Sequence, residues 1–285
     1  MADLLLGKPV ADAICDDLTP RIEALKAQGI VPKLAIVRVG ERPDDLSYER
    51  GACKRAEALG IAAEVFALAA DATKDDVLKT IETVNADESI HGCLLFRPLP
   101  NGMDEVRICN ALLPEKDVDG ITAGSLAGVF MDTAVGFPPC TAQAGVEVLD
   151  HYGIEVEGQE VAVVGRSLVI GKPVAMMLLA KHATVTLCHS RSRDLEQVCQ
   201  RADIVVFATG RPRAYGLEFV AKGHTILDVG INVDEAGELC GDVDFAVAEP
   251  AVGAITPVPR GIGSVTTAVL MQHVVRAASC PKSAG

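Results

Sequence analysis

The residues best placed to do chemistry lie in Val161–Pro173, which reads Val-Ala-Val-Val-Gly165-Arg166-Ser167-Leu-Val-Ile-Gly171-Lys172-Pro173. A short β-branched run stops at Gly165, turns through Arg166 and Ser167, and resumes at Gly171 as an apolar, helix-forming segment. Such a strand–turn–helix entrance suits a dinucleotide: the glycine lets backbone approach a pyrophosphate, and the N–H groups of the new helix receive its charge. The spacing is not G-x-G-x-x-G, so the stretch alone equally suits a tight turn in any α/β protein. About twenty residues past such a turn, NAD-specific sites place an acidic side chain on the ribose 2′-hydroxyl. Here the chain runs Leu187-Cys188-His189-Ser190-Arg191-Ser192-Arg193, with no carboxylate there until Asp194. Ser190 and Arg191, with Arg166 from the turn, could surround a 2′-phosphate through charge-assisted hydrogen bonds. A basic loop facing solvent is the other account of them. The pattern favours NADP, with NAD as the alternative.

Periodicity supplies the elements that must position these residues. Val10, Ile14, Leu18, Ile22 and Leu25 recur at three- and four-residue steps and predict a helix over 9–27. Strands are expected at 33–39, 61–68 and 92–96, separated by helices at 44–59 and 73–84. Residues 114–140 break this rhythm with repeated Gly and Pro, as site-lining loops and a domain junction would. A helix over 141–152 opens a second series, with strands at 160–164, 184–188, 204–208, 225–229 and 254–255. A last helix is expected over 264–278, with Ser264 at its N-cap. Alternating strands and helices imply parallel sheets covered by helices, an α/β fold.

Composition narrows the function classes. The 285 residues carry 39 acidic and 26 basic side chains, a net charge of −13 without a Lys/Arg block, which argues against nucleic acid. Nine cysteines show no C-x-x-C pair, so neither a disulfide framework nor a zinc site is expected, and a reducing cytoplasm fits best. Leu4–Leu6 is too short an apolar run for a signal sequence or a membrane span.

Several motifs combine in one order. Tyr48 stands in a segment ending Leu59-Gly60-Ile61, followed by Arg97-Pro98-Leu99-Pro100, Pro114-Glu115-Lys116-Asp117-Val118-Asp119-Gly120 and Pro139-Cys140-Thr141. The Gly165–Pro173 turn, Asp228-Val229-Gly230-Ile231-Asn232, Gly241-Asp242-Val243 and Ile255-Thr256-Pro257-Val258-Pro259 complete the series. Across nearly the whole chain this resembles the bifunctional methylenetetrahydrofolate dehydrogenase/methenyltetrahydrofolate cyclohydrolase family. The resemblance implies an N-terminal α/β folate domain, residues 1–140 completed by 264–285, and a Rossmann-type NAD(P) domain, residues 141–263, with a cleft between them. It implies a homodimer acting on tetrahydrofolate one-carbon derivatives. The family oxidises 5,10-methylenetetrahydrofolate with NAD(P)+, then hydrolyses the methenyl product, and needs no metal for the hydride step. Tyr48 matches the tyrosine along the folate ring, and Asp119 the aspartate that hydrogen-bonds the pterin. Asp117 suits a simpler task, holding the glycine turn. Thr209, Gly210, Val229, Ile231 and Thr266 match positions near the pyrophosphate and nicotinamide, although each also suits ordinary packing.

Three departures from the family pattern concern the substrate side. The catalytic lysine, four residues after the tyrosine, is replaced by Ala52. Lys54 would lie about 200° around the helix from it. Arg55 returns to the face of Tyr48, about 4.5 Å further along the axis, but is a poor proton shuttle at neutral pH. The family glutamine is Phe96, and Arg97, adjacent on a strand, should face the other way. Finally, Pro259-Arg260-Gly261 puts a side chain where the family keeps bare backbone, beside the expected pterin and nicotinamide. Hydride transfer rests on positioning, whereas cyclohydrolase chemistry needs a tunable proton carrier. The expectation is an NADP-dependent dehydrogenase with a weak or lost cyclohydrolase step. The alternatives are the full bifunctional activity, with Arg55 as substitute, and a degenerate homologue that binds without turnover or takes another substrate.

Overall fold

Strand Lys33–Val39 is apolar at five of its seven positions and nearly all buried, the pattern of a central parallel strand covered on both faces. It pairs in parallel with Ala62–Leu68 on one side and Gly92–Leu95 on the other. The computed structural model describes residues 2–280. Its chain forms two units, one of Ala13–Cys140 with the chain from Thr267, the other of the residues up to Asp12 with Thr141–Thr266.

In the first unit, helix Pro43–Leu59 follows the central strand. Proline opens it, Asp44 and Asp45 complement the dipole of its first turn, and Gly60 ends it at φ 73°. Helix Lys74–Ala86 is opened by a capping box between Thr73 and Asp76. Its Val77, Ile81 and Val84 pack with Val37, Cys93, Leu95 and Ile108 as the core. Beyond the sheet, Asp117 takes the N–H groups of Ile121 and Thr122 on its two carboxylate oxygens, at 3.0 and 2.7 Å. That holds the turn through Gly120, the simpler task expected of it.

The second unit is a six-stranded parallel sheet. Its order is Asp3–Leu4, Ala254–Ile255, Thr225–Asp228, Ile204–Phe207, Glu160–Val164, Thr184–Cys188. Strand Glu160–Val164 sends the chain first to one side and then to the other, so the topology reverses between it and Ile204–Phe207. The expected division is corrected at the N-terminus. Asp3 N and Leu5 N donate to Gly253 O and Ile255 O at 2.8 and 2.9 Å, and Tyr152 Oη donates to Leu6 O at 2.9 Å. Backbone pairing, invisible in a stretch of three leucines, thus ties the first residues to the second sheet. The other boundary falls inside helix Gly263–Ser279, and residues 281–285 of the expected first domain lie outside the described ones. Ser264 does not cap that helix: it lies within the first turn, and its hydroxyl donates to Gly261 O at 2.7 Å.

Candidate functional site

Open parallel sheets take ligands at the carboxyl ends of the strands where the order reverses. In the second unit those ends carry Gly165–Ser167 and Ala208–Gly210. Gly165 has φ 135°, and a Cβ there would stand 2.2 Å from Ala208 O; one on Gly171 would stand 2.2 Å from Gly165 O. Strand, turn and helix Gly171–Ala180 close together only because both are glycine. Ser167 Oγ accepts from Ile170 N and Gly171 N at 3.1 and 3.4 Å, supplying the acceptor that Ile170 lacks. Arg166, Ser167, Ser190 and Arg191 are all exposed around this end of the sheet. The expected Thr209 and Gly210 are also there, but their N–H groups donate to the buried Asp242 carboxylate.

Beside the turn, at the ends of Thr225–Asp228 and Ala254–Ile255, lies a cavity of about 200 Å³. Val229, Ile231, Pro259, Arg260 and Gly261 line it, so residues expected on the substrate and cofactor sides share one wall. Arg260 holds φ 83°, a left-handed conformation. Thr266 is buried, its Oγ1 3.5 Å from Ile262 O, and does not line the cavity. Asp228 also lines the cavity, and burial above all pushes its carboxyl up to about 7, against three backbone N–H donors that favour its charge.

The first unit carries the other candidates. Tyr48 sits on helix Pro43–Leu59 and meets the Phe96 ring edge-on at 5.8 Å. Burial raises its hydroxyl well above the ordinary tyrosine value, and the neighbouring Asp119 and Cys140 add to this. Asp119 keeps some exposed surface, yet its carboxyl is enclosed by protein. Burial pushes it up to about 6, against the Arg97 guanidinium, with Asp117 raising it further and the Cys140 thiol bonding its charged form. Cys140 Sγ lies 3.1 Å from Val118 O and 3.7 Å from His273 Nδ1. His273 Nδ1 is 2.8 Å from the same carbonyl, which can only accept, so Nδ1 carries the proton. Burial holds this imidazole down at about 4, neutral at physiological pH.

Two expectations change here. Arg55 cannot serve at the face of Tyr48, because its Nε donates to Thr267 Oγ1 at 2.9 Å and its Nη1 to Cys15 Sγ at 3.3 Å. It joins three helices, while Ala52 is fully buried with no cation in its place. Arg97 is the residue that sequence reasoning set aside. The strand ends at Leu95, so side-chain alternation stops there, and Arg97 comes within electrostatic reach of Asp119. Cys140 and His273 were missed as members of the cluster; the Pro139-Cys140-Thr141 motif was the one signal for the first, and nothing in a helical pattern marks the second.

Comparison with known proteins accounts for both halves. Residues 139–282 match the family model for the tetrahydrofolate dehydrogenase/cyclohydrolase NAD(P)-binding domain, and residues 5–119 that for its catalytic domain. The bifunctional protein FolD of Carboxydothermus hydrogenoformans is 52% identical over 279 residues, covering 97% of each chain. The crystal structure of the bifunctional FolD methylenetetrahydrofolate dehydrogenase/cyclohydrolase from Campylobacter jejuni superposes with a TM-score of 0.94 at 34% identity, covering 98% of this chain and 99% of that one. A Trypanosoma brucei methylenetetrahydrofolate dehydrogenase-cyclohydrolase, solved with NADP and an inhibitor, gives a TM-score of 0.91 at 32% identity over 97% of both chains. With matched models on both halves and relatives along its whole length, this chain belongs to the tetrahydrofolate dehydrogenase/cyclohydrolase family.

Proposed function

We propose that the protein oxidises 5,10-methylenetetrahydrofolate with NADP+ and that its cyclohydrolase step is weak or lost. The carrying observation is Ala52: a methyl group, fully buried, stands one helical turn from Tyr48 where the family pattern has its lysine. The glycine-built turn at Gly165 fits a dinucleotide, and bound NADP+ would supply the acceptor for the hydride. The chain's own part is then positional. Gly165, Arg166 and Ser167 face the phosphates, with Ser190 and Arg191 about a 2′-phosphate. The wall of Val229, Ile231 and Pro259–Gly261 confines the nicotinamide and the adjoining pterin. On the folate side, the Tyr48 ring lies along the substrate, and the Asp119 carboxylate accepts from its amino and N–H groups. Hydrolysis of the methenyl product needs a group that carries a proton near pH 7. Tyr48 titrates too high, and Arg55 is committed elsewhere.

The curated relatives at about half identity are called bifunctional, which favours retained hydrolysis as the second reading. Purified protein separates the two. NADPH formation from methylenetetrahydrofolate is expected, with methenyltetrahydrofolate consumed at the buffer rate; protein-dependent hydrolysis would return the chain to the bifunctional reading. Binding of NADP+ and folate without NADPH formation would point instead to a degenerate homologue. Comparable kcat/KM with NAD+ would contradict the NADP preference. A homodimeric assembly and a cytoplasmic location belong to the same reading and are checked by solution mass and cell fractionation.

A further inference from the structure

We propose that Asp242 is a positioning residue for the cofactor, whose buried carboxylate fixes the loops after strands Ile204–Phe207 and Thr225–Asp228 in the arrangement a dinucleotide accepts. The inference rests on the NADP reading above. Neither the phosphate turn nor the cavity wall includes the Gly241-Asp242-Val243 segment. Asp242 has no exposed surface. Its Oδ2 accepts from Thr209 N at 2.5 Å, Thr209 Oγ1 at 2.9 Å and Gly210 N at 3.1 Å. Its Oδ1 accepts from Arg211 N and from Asn232 Nδ2, both at 2.9 Å. Three successive N–H groups of one loop and a side-chain amide of the next thus converge on a single carboxylate, a concave arrangement of donors that suits a negative charge.

Asp242 is itself anchored. Its N–H donates to Asp228 Oδ1 at 3.0 Å, which also takes Gly230 N at 3.0 Å, while Asp228 Oδ2 takes Val243 N at 2.9 Å. The two loops follow strands that pair directly, and the second supplies Val229 and Ile231 to the cavity. Without the carboxylate, N–H groups of the first loop lose their common acceptor, and both loops spread over several arrangements. Ligand then binds only the competent fraction, so apparent affinity falls by that fraction, while the saturated enzyme turns over as before.

Asp242→Asn keeps the volume, but its NH2 meets at least two donors whichever way the amide lies. Asn232→Ala removes one bond from one loop. Calorimetry with NADP+ is run on the native protein and both variants, with steady-state kinetics and thermal melts. The native protein is expected to bind. Asp242→Asn should raise the NADP+ Kd and KM about tenfold or more, leave kcat and the folate KM within about threefold, and Asn232→Ala should weaken binding about threefold. A folded Asp242→Asn protein with native cofactor affinity overturns the proposal, as does a fall in kcat at unchanged Kd. Should Asp242→Asn fail to fold, unchanged affinity in Asn232→Ala overturns it. A native protein that binds no NADP+ overturns the NADP reading, and this inference with it; native binding with unaltered variants sinks the inference alone.

Discussion

Lysine introduced at position 52 would enter a site with no exposed surface, next along the helix from a tyrosine already packed against Phe96. Ala52→Lys alone is expected to cost about 1–3 kcal/mol of stability through overpacking and a buried charge, and to leave methenyl hydrolysis at the buffer rate. Ala52→Lys with Phe96→Gln opens room and supplies a polar partner, so hydrolysis should rise above buffer in the double variant only. Loss of methenyl absorbance reads this directly, and activity in the single variant would refute the role given to Phe96. Arg260 makes a second residue-scale case. At φ 83° a side chain strains the backbone where glycine does not. Arg260→Gly should therefore stabilise the protein by about 1 kcal/mol in urea denaturation. A neutral or destabilising result would mean that the side chain makes compensating contacts.

At the scale of elements, the two glycines that shape the turn from Gly165 to Gly171 act through space as much as through conformation. Gly158→Ala meets no neighbour within 4 Å at φ 76°, so it should cost only the backbone penalty, about 1–2 kcal/mol. Gly165→Ala puts a methyl 2.2 Å from the Ala208 carbonyl and must part strands Glu160–Val164 and Ile204–Phe207. A loss of about 3 kcal/mol or more is expected, together with NADP+ binding. Equal losses in the two variants would show that the close approach does not matter. Most strands and helices were legible within two residues, because buried parallel strands are short apolar runs and helices alternate with them. Helix Ala123–Met131, inside the segment read as loops, and helix Leu195–Arg201 were not, nor were the two-residue strand Asp3–Leu4 and the hairpin of Asn232–Val233 with Leu239–Cys240. Pairs that short carry no period of their own and exist only where a partner's backbone lies alongside.

Three enclosed groups contribute opposing pH dependences to stability. Asp119 and Asp228 are raised to about 6 and about 7, so each contributes stability that is complete below about pH 4 and is lost as pH rises through its folded value. His273 is lowered to about 4, so its contribution is complete above about pH 6.5 and is lost as pH falls toward 4. Between about pH 4 and 6 the losses at Asp119 and Asp228 together outweigh the gain at His273. Between about pH 6 and 7 the loss at Asp228 continues. The thermal midpoint should therefore decline from about pH 4 to 7 and then level, and Asp228→Asn should largely flatten this decline. His273→Asn should steepen the decline between about pH 4 and 6, because the opposing gain is removed. A His273→Asn profile parallel to that of the native protein would show that the imidazole is not held neutral.

The sequence by itself determined the α/β class, the glycine turn at Gly165, and the family through the order of its motifs, because local backbone demands and apolar period are written in adjacent residues. It also determined which side chains are missing, since an alanine at position 52 is an alanine in any fold. Tertiary structure decided what the remaining ones do. Arg55 is tied to Thr267 and Cys15, Arg97 reaches Asp119 because its strand stops at Leu95, and Cys140 and His273 close on Val118 from separate helices. Asp242 gathers donors from residues ten and about thirty positions away in the chain. Hydrogen bonds and electrostatic fields act over a few ångströms of space, and the pairs they join are set by how the chain folds back, which spacing along the sequence does not encode.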